Sequence, residues 1–276
     1  MSSAQTSVPF GSYRLRGVKN TLQTFATKLP PTWLGQRFAY IFRKLALKNY
    51  SENTIDTEID GLKLRLYPFD NLTDRHFLFL PQFFDREEQK FMSKVLSADS
   101  TFIDIGGNSG LYSFFAAKKI KHGKILTFEP HPIMSKRLAA NISFNHLDQI
   151  IKLKDFGIAD KNKSFEMSIN PSNMGGNSIA LTHDDKPEYL EEKITIKCRP
   201  LLSVLKEEKI KSIDLLKIDI EEAEHLALIP FFESAPKEMY PAYVIIESDD
   251  KIDFEKYGYQ PISKTKSHNT LYKLAD

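Results

Sequence analysis

Apolar and polar residues alternate along this chain in two rhythms. Just after Pro30-Pro31, Leu34, Phe38, Ile41, Phe42 and Leu45 recur at helical spacing, with Arg37, Arg43, Lys44 and Lys48 off that stripe. The pattern predicts an amphipathic basic helix. Residues 61–67 (GLKLRLY) switch to period two and predict a half-exposed strand. Residues 75–97 read as helix or loop, with Phe83, Phe84, Phe91 and Met92 as packing residues. From Thr101 onward strand, turn and helix repeat. Strands are expected over 101–105, 124–128, 150–156, 213–218 and 243–247, and helices over 109–119, 134–145, 201–208 and 222–232. Segments 163–169 and 193–198 read as added strands around an irregular loop, and 257–261 with 270–274 as a closing pair. Such alternation implies a largely parallel sheet with helices on both faces.

The chemistry gathers where these strands end. Asp104-Ile105-Gly106-Gly107-Asn108-Ser109-Gly110 closes a strand on an acid and opens a helix through a glycine-rich turn. Ligands of open α/β sheets bind outside the carboxyl ends of the strands. Gly106 and Gly107 remove side chains where a ligand approaches the backbone, and Gly110 lets the helix lie close to the sheet. No Gly-Lys-Ser/Thr follows, so this is not a phosphate-binding P-loop. Glu129 lies 25 residues after Asp104, ending the next strand in Phe128-Glu129-Pro130-His131-Pro132. An acid there can accept hydrogen bonds from both hydroxyls of a ribose. Asp104 would repel a pyrophosphate, whereas the ammonium group of S-adenosylmethionine tolerates an acid, so the loop favours that cofactor over NAD. Asp155 and Phe156, ahead of Gly157, end a third strand where adenine would be contacted.

These residues resemble a known family. The run 102–113 (FIDIGGNSGLYS) looks like the first motif of the FkbM-type S-adenosylmethionine-dependent methyltransferases, and Phe128-Glu129-Pro130-His131-Pro132 looks like their second. The run 214–224 (DLLKIDIEEAE) resembles their most distinctive signature. The resemblance covers roughly residues 60–250, and two departures stand out. Gly107 replaces the usual Ala or Cys, and Glu222 replaces a Gly after the second acid. The family implies a class I methyltransferase fold: a Rossmann-like three-layer sandwich on a mostly parallel seven-stranded sheet, here with an N-terminal helical extension. It also implies O-methylation, commonly of sugar or polyketide hydroxyls. The corresponding domain division is residues 1–56 for the extension and 57–276 for the methyltransferase domain.

Lys217, Asp219 and Glu221 share one side if the strand runs on through them. A sugar hydroxyl needs a base as the new bond forms, and Asp219 is the first choice. The competing role for Asp219 is helix capping, with Glu222 three residues on. Glu221 and Glu224 suit the first turn of a helix, and the family signature makes both site candidates. Lys217 would orient the carboxylates or the acceptor. Glu247 is another strand-end acid, expected on the substrate side. Carboxylates gathered there could hold Mg²⁺ or Ca²⁺, but acids opening helices are ordinary and no metal is assigned. Residues 170–178 (NPSNMGGNS) form a breaker-rich loop, read either as a flexible turn or as a lid. In the lid reading, the amides of Asn173 and Asn177 meet a polyhydroxyl acceptor. His131, His183 and His225 have no metal-ligand spacing.

Composition narrows the setting. With 41% hydrophobic and 27% charged residues among 276, the chain is globular, and a rod, a collagen or a disordered chain is excluded. The single cysteine, Cys198, excludes an internal disulfide framework and suggests a reducing compartment. The net charge of +2 conceals an asymmetry: residues 1–50 carry eight Lys or Arg and no acid, while the rest carries 30 basic and 36 acidic residues. Three readings of the basic arm compete: a helix packed on the body, attachment to an anionic membrane surface through residues 31–48, or a transit peptide. Residues 1–20 show no secretory signal, and the acidic body argues against nucleic acid. A cytoplasmic protein follows, near the inner face of a membrane if the arm docks there. The expected function is O-methylation of a sugar in a glycan or glycolipid precursor. An NAD-dependent oxidoreductase and a catalytically silent scaffold are the alternatives, and the oligomeric state is open.

Overall fold

The computed structural model describes residues 8–170, 173–175, 178–179, 193–220, 223–247 and 250–275. Two helices open it, α1 (Gly17–Lys28) and α2 (Trp33–Leu47). The periodicity reading gives only the second, because α1 has a polar sequence with few apolar positions. Thr32 caps α2, its side chain accepting the Gly35 N–H at 3.2 Å. Strands β1 (Ile55–Ile59) and β2 (Leu62–Leu66) form a hairpin whose two-residue turn has positive φ at Asp60 and Gly61. Residues 75–97 resolve into α3 (Leu72–Phe79), a single turn at Pro81–Phe83, and α4 (Arg86–Val95).

The body is built on β3 (Thr101–Ile105), α5 (Leu111–Lys119), β4 (Lys124–Phe128), α6 (Pro132–Phe144) and β5 (Ile151–Lys154). After β5 the chain forms a second, small sheet from β6 (Gly157–Ile158), β7 (Lys163–Ser168), β8 (Ser178–Ile179) and β9 (Lys193–Arg199). It then returns through α7 (Leu201–Glu207), β10 (Leu215–Ile218), α8 (Glu224–Ser234), β11 (Tyr243–Glu247), β12 (Tyr259–Lys264) and β13 (Asn269–Leu274). The main sheet has seven strands in the order β12-β13-β11-β10-β3-β4-β5. Strands β11, β10, β3, β4 and β5 run parallel, and β13 is antiparallel to both of its neighbours. This is the expected α/β class I methyltransferase topology, with helices ahead of it.

The sheet splits the apolar residues by parity. Phe102, Ile125, Leu215 and Ile245 join one core with α5 and the N-terminal elements, while Ile103, Leu126, Leu216 and Val244 join the other with α7 and α8. Both faces are buried, so the central strands are nearly continuous apolar runs.

Strand order also places the site. From β3 the chain winds outward to β5, then crosses back so that β10 lies on the other side of β3. The connections on the two sides of β3 diverge, and a crevice opens at the carboxyl ends of β3, β4 and β10.

Two expectations need correction. The first glycine-loop helix begins at Leu111 rather than Ser109, because Gly110 ahead of it has φ +86°. Most of the apolar stripe of α2 does not face the body. Of its five residues only Phe42 packs on the core; Leu34, Phe38, Ile41 and Leu45 are each about half exposed, and the fully buried positions are Gly35, Ala39 and Ala46.

Candidate active site

A cleft of 290 Å³ lies at these strand ends. Its floor is the glycine loop. Gly106 has φ +82°, and a Cβ there would fall 2.0 Å from the carbonyl oxygen of Asp219, so only glycine lets the ends of β3 and β10 close together. Four backbone N–H groups of the loop are already engaged. Gly106 and Gly107 donate to the carbonyl of Phe128 at 3.0 and 2.9 Å, and Gly110 donates to Gly107. The Asn108 N–H donates to Glu129 Oε2 at 2.8 Å. A pyrophosphate cradle needs such groups free and turned toward the ligand; here they bind the loop to the end of β4.

Glu129 is buried at the end of β4, and its other oxygen accepts the His131 N–H at 2.9 Å. Each carboxylate oxygen thus has one fixed donor and keeps capacity for another. Burial raises its pKa from 4.5 to about 7, against the lowering effect of the two backbone donors and of Lys217. His131 caps α6, with Nδ1 accepting from Ile133 and Met134 at 3.2 and 3.4 Å. Burial, with Arg137 adding to it, holds that imidazole down at about 4.

A charged cluster lies behind the loop. Asp104 is fully buried, and its Oδ2 accepts from the Ser113 hydroxyl at 2.6 Å. Its Oδ1 finds no hydrogen-bond partner among the described residues. Lys217 occupies the register position next to Asp104 on the parallel strand β10. Its ammonium is 3.1 Å from Asp219 Oδ2 and 5.0 Å from the centre of the Tyr112 ring. Burial works to lower the Lys217 pKa, but Asp219 and Asp104 outweigh it and hold the ammonium above its ordinary value. Burial raises Asp104 despite Lys217 and Ser113.

The opposite wall comes from other parts of the chain. Asp85, in the left-handed region at φ +36°, accepts from the Tyr112 hydroxyl at 2.9 Å and from the Ser267 hydroxyl at 2.7 Å. Burial, reinforced by Asp85 and Glu88, raises the Tyr112 hydroxyl pKa well above the ordinary value. The segment 173–175 lies on the rim. Asn173 Oδ1 accepts the Leu72 N–H at 3.2 Å, and the Met174 N–H donates to Asp70 at 2.7 Å. Asp70 is held in turn by two 2.8 Å hydrogen bonds from Arg137. Beneath this rim Asn71 donates to Asn108 at 2.8 Å, and Ser109 donates to the buried carboxylate of Asp74. Burial raises Asp74 from 3.8 to about 6.

The structure brings Gly106, Gly107, Asn108, Glu129, Lys217 and Asp219 to one cleft. Asp104 and Gly110 stand behind the loop rather than on the cleft wall. Asp155 is exposed, and Phe156 packs on Phe128 at 5.8 Å and under Arg199. Strand β5 ends at Lys154, so the chain turns and presents Gly157 and Ile158 to the cleft instead. Glu247 ends β11 exposed and away from the cleft lining. Strand β10 stops at Ile218, so the shared-face condition for 217, 219 and 221 is not met. Helix α8 starts at Glu224, which is buried and accepts the Ile220 N–H at 2.9 Å. Asp219 lies well ahead of that helix and does not cap it. Glu221, Glu222 and Asn177 lie outside the described residues. Sequence reasoning missed Thr73, Asp85, Tyr112, Met167 and Met174. Tyr112 belonged to the first motif and Met174 to the breaker-rich loop 170–178, and no spacing pointed to the others. Among the described residues no group of three or more His, Cys, Asp or Glu is placed to hold a metal ion.

Residues 104–270 match the model of the methyltransferase FkbM domain. The chain is 28% identical over 155 residues to methyltransferase sdnD of Sordaria araneosa, a match covering 47% of this chain and 59% of that protein. It is 25% identical over 142 residues to Methyltransferase 1 of Beauveria bassiana, covering 46% and 56%. It is 25% identical over 214 residues to the AMB antimetabolite synthetase AmbE of Pseudomonas aeruginosa, covering 66% and 10%. The chain thus spans rather more than half of the two methyltransferases and a tenth of the synthetase. Among solved structures, the O-methyltransferase from Bacillus cereus in complex with SAH aligns with TM-score 0.42 and 11% identity, over 70% of this chain and 82% of that one.

Proposed function

The chain belongs to the FkbM methyltransferase domain family, and from that premise we propose that it methylates a hydroxyl of a polyhydroxylated acceptor, a sugar in a glycan or glycolipid precursor, using S-adenosylmethionine. The observation that carries this reading is Glu129. It is a buried carboxylate with one backbone donor fixed on each oxygen, beside a glycine loop in which the N–H groups of Gly106, Gly107, Asn108 and Gly110 are engaged within the protein. That arrangement suits a ribose and leaves no nest for a pyrophosphate, which speaks against NAD. Glu129 holds the ribose, Gly157 and Ile158 flank the base, and Gly106 admits the remainder of the cofactor against the backbone. When bound, the cofactor supplies an electrophilic methyl group on a sulfonium.

The protein's own part is to place the acceptor and take its proton. Asp219 sits past the end of β10, half exposed to the cleft, and receives the hydroxyl proton as the oxygen–carbon bond forms. Lys217 fixes the Asp219 carboxylate in place. The paired Asp85 and Tyr112 offer polar groups on the wall facing Asp219. Calorimetric titration with S-adenosylhomocysteine beside NAD tests the reading. Binding of S-adenosylhomocysteine alone is expected, followed by methyl transfer to sugar acceptors. Binding of NAD would overturn the cofactor, and binding without turnover on any acceptor would favour a scaffold.

A further inference from the structure

Helix α2 is built inside out for a soluble helix. Its inward face carries its smallest side chains, Gly35, Ala39 and Ala46, all buried, with Phe42 and Leu47 partly buried against the core beside them. Four of its large apolar side chains form a separate stripe that meets solvent: Leu34 is 59% exposed, Phe38 49%, Ile41 51% and Leu45 50%. At ~100° per residue this stripe lies about a quarter turn or more from the small-residue face. Arg37, Lys44 and Lys48 run along the stripe's outer flank, all exposed. Trp33 is 65% exposed at the start of the helix, and Phe25 of α1 is exposed as well. Arg37 stands 4.7 Å from the Trp33 ring and Arg43 4.8 Å from the Tyr40 ring.

We propose that this face of α2 docks the protein on the surface of a bilayer carrying anionic lipid headgroups. A contiguous apolar stripe of this kind is kept exposed where something covers it. Charge selects the occupant. The first 50 residues hold eight Lys or Arg and no Asp or Glu. A second copy meeting this face about a twofold axis would set Arg37, Lys44 and Lys48 against the same residues with no acid between them. An anionic bilayer answers both halves of the surface: acyl chains take Leu34, Phe38, Ile41 and Leu45, and headgroups take the bases. Trp33 and Tyr40, each with an Arg over the ring, sit at the level where aromatic side chains favour the interface. No helix among the described residues is long and apolar enough to cross a membrane, so the contact is with one surface. The inference does not depend on the cofactor reading.

The full chain carries its own reporter, because Trp33 is the single tryptophan. The test is flotation with phosphatidylcholine vesicles, with and without phosphatidylglycerol, read beside Trp33 emission. Binding to the anionic vesicles with a blue shift is expected, weakening by about tenfold or more as salt rises or in Arg37→Glu/Lys44→Glu. Phe38→Glu/Ile41→Glu is expected to abolish flotation while circular dichroism and melting stay unchanged, since both side chains already face solvent. Equal binding by that variant, no flotation of the natural chain, or equal flotation with neutral vesicles would each overturn the proposal. So would self-association in sedimentation that Phe38→Glu/Ile41→Glu removes without any vesicle binding, which would make the face an interface between copies.

Discussion

The Lys217 ammonium stands 3.1 Å from Asp219 Oδ2, one group buried next to the last residue of a central strand, the other just past its end. The pair divides the work of the proposed site: Lys217 supplies fixed charge, and Asp219 supplies a carboxylate that reaches the cleft. Asp219→Asn keeps the shape and removes the base. Turnover is expected to fall by roughly 10²–10⁴, the usual worth of a positioned base. Affinity for S-adenosylhomocysteine should stay within about threefold, because Glu129 and the glycine loop are untouched. Single-turnover methyl transfer and calorimetry separate the two. A loss confined to binding would move Asp219 from the acceptor to the cofactor.

Gly106 and Gly61 share a backbone conformation, at φ +82° and +77°, but not a neighbourhood. A Cβ at Gly61 meets nothing within 4 Å, whereas one at Gly106 meets the Asp219 carbonyl at 2.0 Å. Gly61→Ala is therefore expected to cost about 1 kcal/mol, the conformational penalty alone. Gly106→Ala adds the displacement of one strand end from the other, about 1–3 kcal/mol more, and should abolish cofactor binding. Urea denaturation of both variants measures the difference. Equal costs would mean that the loop has room the geometry denies.

The glycine loop and Glu129 can be read from sequence because each is contiguous with an apolar strand that announces where it ends. The largely parallel sheet follows from the alternation of strands with helices, but the order of its strands does not. Thr73, Asp85 and Met167 escape because three separate segments carry them to the cleft wall, and no local period records which segments meet. The α2 stripe shows a different failure. Its spacing is a true helical amphipathicity, but pattern reports only that a face is apolar and not which face the body takes. The alanine and glycine positions, silent on a hydropathy reading, decide the packing because they allow close approach. The expectation for Asp155 and Phe156 rests on a strand running to 156, whereas β5 ends at Lys154.

Lys217 also neutralises the interior. It lies beside fully buried Asp104, whose Oδ1 accepts from no described donor. Lys217→Met would leave that carboxylate buried without its cation, and breaking such a pair from one side costs about 3–5 kcal/mol. Asp104→Asn in the same chain removes the orphaned charge and should recover about half of the loss or more. Melting curves of the two single variants and the double variant check this. Additive losses would show that the two side chains do not act on each other.

Glu129 ties stability and affinity to pH in opposite senses. In the unfolded chain its carboxyl ionises near 4.5, while burial in the cleft moves the folded value to about 7. Between those values the folded protein keeps a proton that the unfolded chain has lost, so this contribution to stability is complete below 4.5 and disappears as the pH rises through 7. Asp74, raised from 3.8 to about 6, acts in the same direction. The cofactor-free protein is thus expected to melt at lower temperature at about pH 8 than at about pH 5.5 as far as these two groups govern it. A bound ribose reverses the preference, since its hydroxyls donate to the ionised form. Affinity for S-adenosylhomocysteine should therefore rise with pH through about 7, with release of a proton on binding. Calorimetry at about pH 6.5 in two buffers of different ionisation heat counts that proton, and Glu129→Gln should abolish it while weakening binding by about tenfold or more. Affinity that stays flat across this range, or protons taken up on binding, would remove Glu129 from the ribose.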